Sequence, residues 1–263
     1  MNFIVQGYPA YAYTGGRPFD PGLPAVVMIH GAALDHSEWQ WQARYLAHHG
    51  HCVLALDLPG HGRSPGTALA SVEAMADWVV ALIDDAAIAK AAIVGHSMGA
   101  LVALDCALRH GARVSKLALL GIAVPMPVAE PFLAAARDDS PAAFAMQATW
   151  GHARLSTLSQ SAVPGMSLAR AARRLIERAH PGVQHADLNA CNAYSPSPDA
   201  IRALAIPALV VGARADQMTP VKAGEALSRQ IPGARFVPVD AGHAMTSEAP
   251  RAILKALREF LGA

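Results

Sequence analysis

Six short runs of this chain are apolar almost without interruption: Ala25–Ile29, Cys52–Leu56, Ala91–Val94, Leu117–Leu120, Ala208–Val211 and Arg235–Val239. Continuous apolarity over so short a span is the pattern of a strand covered on both faces, as in a parallel sheet. Between these runs the apolar residues recur at helical spacing, over Glu38–His48, Ser71–Asp84, Met98–Arg109 and Ala249–Leu261. Ser37 is placed to cap the first of these helices, with Gln40 completing a capping box. Gly111 is placed to stop the third. Near the start, FIVQGYPAYAYTGG has β character broken by glycine and proline, which predicts a hairpin. Strand–helix alternation of this kind predicts an α/β fold, a mostly parallel sheet with helices on both faces.

The alternation stops at about residue 125 and resumes at about residue 200. The intervening stretch is rich in Ala, Arg and Pro, and no strand pattern occurs in it. It predicts short helices over Val128–Arg137, Pro141–His152, Ser167–Ala179 and His185–Tyr194, punctuated at Pro164–Gly165 and Pro181–Gly182. The expected organisation is a core over 1–124, a helical insertion over 125–199, and the rest of the core over 200–263.

Composition narrows the class. Of 263 residues 53% are hydrophobic and 16% charged, with a formal net charge of +1. Such a chain can bury a large core and is not a candidate for disorder. No basic block suggests a nucleic acid or a membrane surface as partner. Cys52, Cys106 and Cys191 are far apart and odd in number, so they read as free buried thiols of a reducing compartment. No secretory leader pattern and no run of eighteen apolar residues is present. The expected location is cytoplasmic, and the expected state is a monomer or homodimer with a small-molecule partner.

Candidate chemistry centres on VGHSMGAL. Ser97 stands between Gly95 and Gly99, after an apolar strand and before an apolar helix. That spacing fits a serine on a sharp strand-to-helix turn, where residues two before and two after press on neighbouring backbone. The turn presents the hydroxyl above the sheet edge and aims the Met98 N–H at an oxyanion from a helix start. A serine needs a base, and the base an orienting acid. Asp216, in VVGARADQMTP, and His243, in VDAGHAMTSEAP, follow the last two strand runs, on the same sheet edge as Ser97. The order Ser97, Asp216, His243 is that of one triad scaffold. Asp216 alone reads equally well as a cap for a helix starting near Pro220, and His243 alone as a solvated loop histidine.

A second oxyanion donor belongs after the first core strand, in HGAA, and is assigned to the Ala32 N–H; His30 reads as the residue that holds this loop. His96 is expected to pack, His48, His49 and His51 to be solvated, and His110 and His180 to end helices. HGAALDH brings His30, Asp35 and His36 close in sequence, but the spacings of metallohydrolases are not met. No phosphate-binding glycine loop follows a strand. Neither a metal nor another cofactor is expected.

The pieces HGAA, DLPGHGRS, GHSMGA, GARADQMTP and AGHAMTSEAP together resemble the α/β-hydrolase superfamily, in its order and over residues 26 to 250. The resemblance is to the small bacterial esterase, lactonase and C–C hydrolase group. It implies an eight-stranded sheet with a helical cap inserted after the sixth strand, and a structural role for Asp57. Ser97 sets the chain apart from haloalkane dehalogenases and epoxide hydrolases, whose nucleophile is an aspartate. The activity implied is hydrolysis of a small to medium carboxylic ester through an acyl-enzyme. C–C bond hydrolase, lactonase and perhydrolase chemistry on the same triad stay open, as does a slow-turnover small-molecule receptor. Pocket candidates are Trp39, Met126, Phe144, Met146, Trp150 and Met166. One of Trp39 and Trp41 is expected at the site and the other in the core, and Arg137 or Arg154 could meet a charged acid.

Overall fold

The computed structural model describes residues 1–154 and 167–263. Eight strands form one sheet: β1 (Asn2–Val5), β2 (Tyr8–Tyr13), β3 (Ala25–Ile29), β4 (Cys52–Asp57), β5 (Ala91–His96), β6 (Val114–Leu120), β7 (Ala208–Ala213) and β8 (Arg235–Val239). Their order is β1-β2-β4-β3-β5-β6-β7-β8. The first two form the expected hairpin, and β2 runs antiparallel to β4; every other pairing is parallel.

Strands β3, β4, β5 and β7 are buried at every residue, as continuous apolar runs require. Their side chains alternate between two cores. Val27, Ile29 and Leu54 face one, with Met75, Leu82 and Leu101. Val26, Met28 and Val53 face the other, with Trp39, Leu46 and Leu257. The expectation of two-sided cover fails at β8. It is the edge strand, with Arg235 and Pro238 exposed, and an edge is where a proline costs no ladder hydrogen bond.

Helices α1 (Gln40–His48), α2 (Val72–Asp85) and α3 (Met98–Arg109) connect the early strands. The Ser71 hydroxyl accepts the Ala74 N–H and starts α2. Helix α3 ends at Arg109 with His110 as its cap, and Gly111 opens a short 3-10 turn instead of forming the stop itself. The start of α1 also departs from expectation. Asp35, not Ser37, is the cap: its Oδ1 accepts the Ser37 N–H at 2.8 Å and sets a 3-10 turn over His36–Trp39 ahead of the helix. The turn shifts the phase of the segment, so Glu38 is buried and Trp39 lies wholly in the core.

Between β6 and β7 lie α4 (Glu130–Arg137), α5 (Pro141–Trp150), α6 (Leu168–Ile176), α7 (Val183–Ala193) and α8 (Pro198–Arg202), with no strand among the described residues. The last of these was not expected from the pattern. After β7 come α9 (Val221–Gln230), α10 (Met245–Glu248) and α11 (Pro250–Leu261). The three cysteines are free and buried. Among the described residues no helix is long and apolar enough to cross a membrane.

Candidate active site

Because β3, β5, β7 and β8 are parallel, the loops after them meet at one sheet edge. There β5 hands over to α3 through Ser97, whose backbone stands at φ 55° and ψ −119°. A non-glycine residue rarely adopts this, and the surroundings must hold it. The Ser97 N–H bonds to the Leu120 carbonyl at 2.9 Å, and the Ser97 carbonyl accepts from Ala100 at 2.9 Å. A Cβ on Gly95 would run into the Gly99 carbonyl, and one on Gly99 into the carbonyls of Ile29 and His30. Both glycines are therefore demanded by close backbone approach.

Asp216 and His243 meet across the β7 and β8 loops. The His243 Nδ1–H donates to Asp216 Oδ2 at 2.8 Å. Asp216 Oδ1 accepts the N–H groups of Met218 and Thr219, both at 2.8 Å, and the Thr219 hydroxyl donates to Oδ2 at 2.7 Å. Asp216 thus both shapes the turn before α9 and orients His243; the two sequence readings are compatible. Burial alone would raise its carboxyl, but His243 and the Thr219 donors outweigh burial and hold it below the ordinary aspartate value. With Nδ1 engaged, the Nε2 of His243 is left as the acceptor.

Beneath His243 lies a buried pair that the pattern did not reveal. His96 Nε2 donates to the His243 carbonyl at 2.9 Å, and its Nδ1 lies 2.5 Å from Glu38 Oε1. Nε2 carries a proton for the His243 carbonyl, and a carboxylate this close to Nδ1, though off hydrogen-bond geometry, favours a proton there as well, so the pair is imidazolium and carboxylate. Burial opposes that charge, but Glu38 outweighs it and the His96 pKa is raised; Glu38 is lowered in turn by His96 and by the Gly31 N–H, against its own burial. Glu38 Oε2 accepts that N–H at 2.8 Å. One carboxylate therefore ties the loop after β3 to the serine turn and the histidine loop. A signal existed in the sequence: Asp35-x-x-Glu38 is itself a capping-box spacing.

The loop after β3 is held as expected by His30, whose Nδ1 donates to the Gly31 carbonyl at 2.9 Å while Nε2 accepts the Leu58 N–H at 3.2 Å. This is a neutral imidazole, and burial first, then neighbouring His61, lowers its pKa. The N–H groups of Ala32 and Met98 find no acceptor among the described residues. Asp57 is a hub: its Oδ1 accepts the backbone N–H and Nδ1–H of His36 at 2.7 and 2.8 Å, and its Oδ2 the Arg63 N–H at 2.8 Å. Asp35, His36 and Asp57 do converge; His36 Nδ1 is paired with Asp57 Oδ1, and Asp35 Oδ1 accepts the Ser37 N–H. Of the histidines expected in solvent, His48 and His49 are exposed but His51 is buried, under the end of α1.

Ser97 and His243 open on one cavity of about 1850 Å³, as do Gly31 and Ala32. Of the expected wall residues, Met126 and Trp150 line it. Trp39 does not, because the 3-10 turn directs it into the core; Trp41, 55% exposed, lines the cavity in its place. Phe144 packs on Ala33, Ala148 and Ile176, and Met146 on the main core, so neither is a wall residue. Met166 lies outside the described residues. Among the described residues the cavity's arginines are Arg44, Arg174, Arg178 and Arg251, not Arg137 or Arg154.

A family model described as the alpha/beta hydrolase fold matches residues 24–250. The chain belongs to the α/β-hydrolase fold family. Over 245 residues this hydrolase-fold chain is 31% identical to a pimeloyl-[acyl-carrier protein] methyl ester esterase of Aromatoleum aromaticum, covering 84% of this chain and 91% of that one. Over 111 residues, 42% of the chain, it is 40% identical to the dihydrolipoyllysine-residue acetyltransferase component of an acetoin cleaving system of Cupriavidus necator, but spans only 28% of that protein's length. The enol-lactonase of Burkholderia xenovorans LB400 superposes with a TM-score of 0.87 over all of both chains, at 24% identity. That likeness speaks to the fold.

Proposed function

We propose that this protein is a serine hydrolase that cleaves small to medium carboxylic esters through an acyl-enzyme. The observation that carries the proposal is the Asp216–His243 pair, with Nδ1 locked at 2.8 Å, facing the same cavity as a serine held at φ 55°. Ser97 Oγ attacks the ester carbonyl while His243 Nε2 takes its proton. Asp216 fixes the imidazole and stabilises its charged form. The N–H groups of Ala32 and Met98 receive the developing oxyanion; Met98 stands at the first turn of α3, where the helix dipole adds to the attraction. His243 then protonates the leaving alcohol, and water repeats the sequence against the acyl-enzyme. The helices between β6 and β7 serve as a cap, with Met126 and Trp150 as apolar walls for the substrate.

The esterase relative that spans most of the chain supports the ester reading. The test is hydrolysis of p-nitrophenyl butyrate by wild type and Ser97→Ala, purified side by side. Turnover in the wild type and near-complete loss in the variant are expected. Equal rates in the two proteins would remove Ser97, and the mechanism with it.

A further inference from the structure

The loop Gly31–Ala33 lines the cavity at Gly31 and Ala32 and leaves one backbone donor without an acceptor among the described residues, the Ala32 N–H, while its neighbouring polar groups are held from several directions. Gly31 donates to Glu38, and its carbonyl accepts from His30 and, at 3.2 Å, from Leu34. The two polar groups of the next peptide, Ala32–Ala33, are held from farther away in the chain. The Ala32 carbonyl accepts from Gln147 Nε2 at 2.7 Å. The Ala33 N–H donates to Asp187 Oδ2 at 2.8 Å. Gln147 belongs to α5 and Asp187 to α7, both within the helices inserted between β6 and β7. Ala33 itself stands at φ 55°, a conformation that alanine adopts only when its surroundings fix it.

These two side chains are themselves anchored. Asp187 is completely buried, and its Oδ2 also accepts from His61 Nε2 at 2.8 Å. His61 Nδ1 donates to the Pro59 carbonyl at 3.0 Å, so both ring nitrogens carry protons and the residue is a cation. Gln147 Oε1 accepts from Gln184 Nε2 at 2.6 Å, which ties α5 to α7. A carboxylate without its own counter-charge would be costly at so buried a place; His61, on the loop after β4, supplies it.

We propose that Gln147 and Asp187 are positioning residues that set the Ala32 N–H in its catalytic orientation, by gripping the Ala32 carbonyl and the Ala33 N–H from the inserted helices. The insertion then completes the oxyanion site as well as bounding the substrate cavity. The inference rests on the reading of Ala32 as an oxyanion donor.

The experiment compares wild type, Ser97→Ala, Gln147→Ala, Asp187→Ala and Asp187→Asn. The readouts are kcat and KM on p-nitrophenyl acetate, affinity for butylboronic acid, which forms a tetrahedral adduct on the serine, and melting temperature. Gln147→Ala and Asp187→Ala are expected to lose about 10–100-fold in kcat, short of the full loss of a donor, with KM within about twofold. Boronate affinity is expected to fall in parallel with kcat. Asp187→Asn keeps an oxygen for the Ala33 N–H and should recover most of the rate. Gln147 is only half-buried on a helix, so Gln147→Ala carries the test if Asp187→Ala does not fold. A lower melting temperature with kcat and boronate affinity unchanged overturns the inference, and so does a rise in KM alone. Wild-type turnover that is absent, or undiminished in Ser97→Ala, overturns the functional reading beneath it, a result distinct from either.

Discussion

Glu38 gives the sharpest test of how the site is held together. Its two oxygens take the Gly31 N–H and the His96 imidazolium, both shielded from water. Glu38→Ala strands both donors. Breaking a buried pair by removing one partner costs about 3–5 kcal/mol, which for a chain of this size lowers the melting temperature by about 6–20 °C. Glu38→Gln is different in kind. Its carbonyl oxygen can still accept from Gly31, and its amide can donate to a neutral His96 Nδ1, while His96 Nε2–H continues to donate to the His243 carbonyl. The bonds to Gly31 and to the His243 carbonyl survive, only a long 3.5 Å bond from the Thr246 hydroxyl to Oε1 is lost, and both charges disappear, so near pH 8 the cost is about 1 kcal/mol. The pH dependence then separates the two proteins. In the wild type the raised His96 contributes fully below the ordinary imidazole value of 6.5, and that contribution fades as pH rises through the folded value. Glu38, lowered, contributes fully above 4.5 and fades as pH falls through its folded value. In Glu38→Gln, buried His96 has no anion, its pKa is depressed, and the variant loses stability as pH falls below the ordinary value. The gap in melting temperature between wild type and Glu38→Gln should therefore widen from about pH 8 to about pH 5.5. Differential scanning fluorimetry across that range measures it. A constant gap would refute the imidazolium assignment, and a Gln variant as damaged as Ala at pH 8 would refute the hydrogen-bond argument.

Two further substitutions probe the elements that place the site. Trp39→Ala empties a fully buried position and should cost about 3–5 kcal/mol, whereas Trp41→Ala should leave stability within about 0.5 kcal/mol and shift KM with acyl-chain length; denaturant melts and a p-nitrophenyl ester series distinguish the pair. Gly99→Ala forces a Cβ to within 2.6 Å of the His30 carbonyl and should abolish soluble expression or lower the melting temperature sharply, while Gly111→Ala, whose nearest neighbour would be Ile206 at 3.6 Å, should be tolerated.

The parts of the site legible in the sequence are those whose cause is local. Gly95 and Gly99 announce a crowded turn because each meets backbone of its own strand–turn–helix unit or of β3 beside it. Asp216 and His243 could be placed because each directly follows an apolar strand run, and parallel strands put all such loops on one edge. Trp39 and Trp41 show where this kind of reasoning stops. They are two residues apart, and which one enters the core depends on the phase of the preceding turn. That phase is decided by Asp35 taking the Ser37 N–H, two residues earlier than the rival Ser37–Gln40 box would have it. Glu38 is hidden by the same ambiguity, since a residue at the outer start of a helix gives no sign of a partner near Ser97.

Asp187 and Gln147 lie beyond even a corrected local reading. Their bonds to the loop after β3 span 154 and 115 residues, and no periodicity in the inserted helices marks either position. Nor does composition help, because a buried aspartate and an exposed one look alike until a partner is found. What makes them consequential is the separation itself. The loop after β3 receives one set of bonds from the core, through Glu38 and His30, and another from the inserted helices. The core set fixes Gly31 whatever the insertion does. The Gly31–Ala32 peptide, which bears the candidate donor, is held on its carbonyl by the core, and the next peptide, Ala32–Ala33, is held by α5 and α7; on the proposed reading the orientation of the donor and the enclosure of an acyl chain therefore depend on one packing arrangement of the insertion against the core.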